Sequence, residues 1–265
     1  MSLLRRLSRR LSERQMIALL AIVVGLLAGL GTCFFEMLLH GVRSALVTWF
    51  PSDRAQVLFL IYPAIGIILA TLFVKYIVRD EISEGVTRVL YAMSRRDSRI
   101  ASHNCWSSIV GGATTIGFGG SVGPEAPIVL TGAAIGSNVG KLARLNYKDL
   151  TLLLCCGAGA AVSAIFKAPI TGVVFVLEIL MLGITSTSIF PLLLACVTAT
   201  TTALIYRGFD PIIALSMVLS GSLLLGAVFM ATDYVTTPTT ELGRLIFGVG
   251  AGVITAVIRL FGSYP

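Results

Sequence analysis

Gly117 to Gly140 read GFGGSVGPEAPIVLTGAAIGSNVG, and the chain is organised around this stretch. A glycine-rich turn ends at Gly123 and Pro124. Glu125, Ala126 and Pro127 follow, and the apolar run after them is free of charge until Lys141. Proline is favoured near a helix start, where its missing N–H would be unpaired anyway. The pattern predicts a helix beginning near Glu125, with free N–H groups and a positive dipole end at the turn. Such an end attracts anions, by about 0.3–1 kcal/mol for an exposed charge. Glycines let an anion come close to the backbone. Glu125 puts its own carboxylate there as a competing anion.

Of the 265 residues, 56% are hydrophobic and 12% charged, with a mean hydropathy of +0.92. This predicts an all-α, polytopic membrane protein. Gly and Pro breaks among apolar runs fit closely packed and interrupted membrane helices. The net charge of +7 does not point to nucleic acid, because the basic residues sit beside apolar segments and mark topology. Five cysteines, at 33, 105, 155, 156 and 196, have no metal-site spacing, and Cys155 and Cys156 read as small buried hydrophobes.

In chain order, Met1 to Gln15 is arginine-rich and reads as a cytoplasmic topogenic segment. Spans are expected over Ile17–Leu39 and Val57–Val78, returning the chain to the basic side. A short helix is expected at Val86–Met93. Ser107–Phe118 and Ala126–Val139 are each too short to cross a bilayer at 1.5 Å per residue. Two half-length helices meeting at a glycine and proline break mark a binding site at membrane depth. Further apolar segments cover Leu150–Ile165, Ile170–Gly183, Ser188–Ile205, Ile212–Thr232 and Leu245–Leu260. Gly157 to Ala161 predict a small face for close helix contact. Lys167 reads as a snorkelling interfacial cation. The threonines at 198, 200, 201 and 202 are expected to bond carbonyls of their own helix. His40 and His103 are isolated, and no Ser/His constellation supports hydrolysis.

GGSVGPEAP, FKAPITGVVFVLE and, more weakly, SEGVT make residues 1–206 resemble the N-terminal half of the CLC family of chloride channels and proton-coupled anion exchangers. The resemblance implies broken helices whose N-termini bind chloride or a similar small anion, with Glu125 as gate. It implies anion-binding positions at Gly123, Pro124, Ala126 and Pro127, and at Ser83 and Gly85 of the first loop. Glu178 is the candidate on a proton path. A homodimer is also implied, and no enzyme chemistry or cofactor is; the chain is expected in the cell inner (plasma) membrane, multi-pass, with the N-terminus cytoplasmic because basic residues flank the first two spans. Three features depart from the family. Glu84 stands where a neutral donor is common. Ile179 stands where proton-coupled members carry a second glutamate, which favours passive conduction. The family's second, inverted half, which gives the anion site an aromatic and a tyrosine, has no counterpart in this sequence.

Residues 207–265, with ATDYVTTPTT and GRLIFG, resemble instead the D-type membrane component of Rnf electron-transport complexes, a relative of the Nqr B-type component. That family carries flavin on a Ser-Gly-Ala-Thr motif. Ser220 to Leu223 does not supply it, so no flavin is implied. The sequence thus reads as two joined pieces, 1–206 and 207–265. Two other readings stand beside anion transport: a membrane component of a redox-driven ion pump, and a truncated or chimeric chain without activity.

Overall fold

The structure, a computed structural model, describes residues 13–49, 55–79, 85–95, 98–183 and 185–208. Every regular element among the described residues is helical: α1 Glu13–Trp49, α2 Ala55–Phe73, α3 Gly85–Ser94, α4 Asn104–Gly117, α5 Glu125–Leu142, α6 Tyr147–Phe166, α7 Pro169–Glu178 and α8 Ser186–Tyr206. One wide π turn, Val74–Val78, extends α2. The expected spans at 212–232 and 245–260 lie outside the described residues.

Three segments among the described residues are long and apolar enough to cross a membrane, Glu13–Leu46, Tyr147–Phe166 and Thr187–Tyr206. The first span runs well beyond the expected Leu39, because nothing in 40–49 breaks a helix: there is no proline, and one glycine is tolerated. The helix expected over 126–139 is also longer. At 18 residues α5 is about 27 Å long, close to a full hydrocarbon core, because Gly140, Lys141 and Leu142 continue it. At 14 residues α4 is shorter, about 21 Å. So one short helix, not two, meets the break.

At the centre, α6 is buried along nearly its whole length, from Leu150 to Ala164 except Thr151. It lies among α1, α5, α7 and α8. Small residues make this packing close. A Cβ on Gly157 would run into the Gly132 carbonyl, and one on Gly132 would meet the Gly157 carbonyl; a Cβ on Gly136 would meet the Leu153 carbonyl. Backbone thus lies on backbone where α5 crosses α6, as the small face predicts. With lipid outside as apolar as leucine, such contact supplies dispersion attraction that burial from water cannot. Cys155 and Cys156 are fully buried in this core.

Where α6 ends, Lys167 takes a left-handed conformation (φ 56°), and the N–H groups of Lys167 and Ala168 both bond the Ser163 carbonyl. Pro169 then opens α7. Lys167 is not a snorkelling cation. Its Nζ donates to Glu36 Oε1 of α1 at 3.3 Å, and Arg207 donates to Glu36 Oε2 from Nε at 3.3 Å and Nη2 at 3.1 Å. A single carboxylate therefore ties the C-terminal ends of α6 and α8, where cations suit the helix dipole, to the middle of α1. Thr198, Thr200, Thr201 and Thr202 of α8 donate to carbonyls four residues back, as expected. Thr200 also reaches the Ser163 carbonyl of α6 at 3.3 Å.

Candidate anion site

The turn between α4 and α5 is held by its own backbone. Phe118 N–H donates to Thr114 O, Gly119 N–H to Ile116 O, and Gly120 N–H to Thr115 O. Gly119 has φ +89°, a conformation that a side chain would strain. Pro124 caps α5, and Glu125 is its first residue, partly buried with Ala126 and Pro127. Pro124 and Pro127 have no N–H. The backbone donors within 123–127 are therefore Gly123, Glu125 and Ala126, and the prolines shape the end rather than donate to a ligand.

The Glu125 carboxylate folds back over this end. A Cβ on Gly123 would collide with Glu125 Oε2. Gly123 itself is exposed, so the carboxylate lies over a turn that opens outward. A carboxylate beside a helix N-terminus is favoured by the positive end of the helix dipole, the same feature that draws external anions to such ends.

Gly85 joins the same place. It is the first residue of α3, it is buried, and a Cβ on it would run into the Ala126 carbonyl. The first turns of α3 and α5 therefore touch, which brings the first-loop glycine and the central motif together as their spacing in sequence cannot. Ser83, and Glu84 beside it, lie outside the described residues. Glu178 is elsewhere: it is the exposed last residue of α7, which packs on α6 and α8. Ile179 follows it, partly buried.

Beside the α3–α5 contact lies a cavity of about 360 Å³. Ala70 and Val74 line it from α2 and its π turn, Gly85 from α3, Ser108, Gly111, Gly112, Thr115 and Ile116 from α4, Val122 from the turn, and Ala126, Pro127 and Leu130 from α5. A dehydrated halide fits easily in this volume. The walls are largely apolar, so such an ion would depend on the helix-end N–H groups and on a few hydroxyls.

Two features escape a reading of the sequence. Glu36 reads there as part of an ordinary span, although an acid in the middle of an apolar helix signals a partner. Asn104, Ser107 and Ser108 read as unremarkable residues near a helix start. Their spacing of three and four puts them on one face of α4.

A family model described as "Voltage gated chloride channel" matches residues 66–261. The H(+)/Cl(-) exchange transporter ClcA of Vibrio vulnificus is 32% identical over 169 residues, covering 60% of this chain and 35% of ClcA. A CLC-type fluoride/proton antiporter of known crystal structure superposes with a TM-score of 0.59 at 30% identity, covering 74% of this chain and 48% of that one. The D component of the Na(+)-translocating ferredoxin:NAD(+) oxidoreductase complex of Acetobacterium woodii is 50% identical over a shorter reach of 58 residues, 22% of this chain and 17% of that protein. The chain thus spans about a third of the length of ClcA and about half of the solved antiporter.

Proposed function

The chain belongs to the voltage gated chloride channel family, and from that membership we propose that it forms one wall of a membrane pathway for chloride or a similar small anion. The observation that carries this is the Glu125 carboxylate folded against Gly123 at the N-terminus of α5, with the first turn of α3 in contact at Ala126. In this reading the N–H groups of Gly123, Glu125 and Ala126 replace part of the anion's hydration shell. Glu125 closes the path when charged, because it holds the anion's place, and opens it when protonated or displaced. Chloride is the anion named for the ClcA relative and fluoride for the solved neighbour, so a small halide suits the family.

We read conduction as passive. Ile179 cannot carry a proton, and Glu178 is the exposed last residue of a helix that packs mainly on α6 and α8. Two copies pair in the inner membrane in this reading, with the arginine-rich N-terminus on the cytoplasmic side.

Replacing Gly123 by alanine tests the gate. The added methyl takes the space of the carboxylate, so the variant is expected to conduct more at neutral pH than the parent, with a weaker pH response. Unchanged flux and pH response in liposomes would remove Glu125 from the gate.

The match to the Acetobacterium woodii protein favours a second reading, membership of a redox-driven ion pump. Flavin fluorescence carried by the purified chain would support that reading.

A further inference from the structure

We propose that Asn104, Ser107 and Ser108 hold a bound file of water along α4, running from the cavity toward the end of the helix that adjoins the basic loop. Asn104 and Ser107 are fully buried and Ser108 is 5% exposed. Asn104 Nδ2 and Oδ1, Ser107 Oγ and Ser108 Oγ are buried without a hydrogen-bond partner. These atoms belong to three residues on a single helical face, and Ser108 lines the cavity. Leaving so many buried polar atoms unpaired in one place is costly, and native interiors avoid it.

The chemistry of the set selects water. Two hydroxyls and an amide offer donors and acceptors in mixture. An anion would use the donors and be repelled by Oδ1, and a cation the reverse. A buried water takes two to four partners of both kinds. Thr131 of α5 adds to the polar character, since its hydroxyl donates to the Asn104 carbonyl at 3.4 Å. Above Ser108 the same face carries Gly111, Gly112 and Thr115, small or polar residues that also line the cavity. From Asn104 to Thr115 the face rises about 17 Å. A water file there wets an otherwise apolar cavity from one side, and it offers a hydrogen-bonded route that needs no carboxylate. Water bound at Asn104 does not depend on what the cavity carries.

Water-edited solid-state NMR of the full chain in liposomes, with ¹⁵N-labelled asparagine, reads this out. The Asn104 side-chain amide is assigned by its loss in Asn104→Leu, or in Asn104→Ser if the leucine variant does not fold. It is expected to receive magnetisation from water early, like the exposed Asn146. Replacing Ser107 and Ser108 together by alanine is expected to slow that transfer by at least about twofold, since each water loses a partner. An Asn104 amide that stays dark while Asn146 lights up overturns the proposal, and so does a transfer rate that the double variant leaves unchanged.

Discussion

A Gly157→Val variant is expected not to accumulate as folded protein. Its Cβ alone would meet the Gly132 carbonyl, with Gly136 N only 3.1 Å from the same point. Both neighbours are backbone inside helices, so neither can turn aside as a side-chain tip would. Overpacking a core ordinarily costs about 1–3 kcal/mol, and here α5 must separate from α6 to admit the branch. The penalty falls on the contact that places Glu125, because α5 carries the site at its first turn. Detergent-solubilised yield by fluorescence size-exclusion chromatography checks this. A monodisperse peak at the parent's level would show that α5 and α6 do not lie backbone to backbone.

Replacing Glu125 by glutamine is expected to abolish the pH dependence of anion flux. In the proposed gate, protonation of the parent's carboxylate would remove the charge that holds it on the helix end, so flux is expected to rise as pH falls. Glutamine is neutral at every pH and leaves nothing to titrate at this position. The variant should therefore give one flux across the acid and neutral range, at or above the parent's acid value. Halide efflux from liposomes at a series of pH values reads the outcome. A pH response retained in the variant would place the gate on another residue.

The helical membrane architecture, the break at 118–124 and the helix start at Glu125 are legible in the sequence, because each rests on local chemistry: apolar runs, glycines and the helix preference of proline. The small face at 157–161 is legible for the same reason, and α6 does meet Gly132 and Gly136 there. Contacts between distant positions are not legible. No local chemistry around Gly85 indicates that it rests on Ala126; only the family resemblance of SEGVT places the two at one site. Lys167 finds its anion 131 residues away, at Glu36, a pairing set by where three helices cross. Gly140 and Lys141 read as a stop, so the sequence makes α5 too short. In the structure Lys141 reaches the Ile100 carbonyl at 2.6 Å, and the helix continues to Leu142. The polar face of α4 is hidden by its composition: serine and asparagine near a helix start ordinarily cap it, and here they are buried in the core.

At about half the length of its solved neighbour, this chain is proposed still to build an anion pathway. Chloride efflux from liposomes holding the purified full chain, set against protein-free liposomes, decides the matter. Efflux well above the protein-free rate, and faster at acid pH, is the expected result. Efflux equal to the protein-free rate at every pH, from protein shown to be folded and inserted, would contradict it.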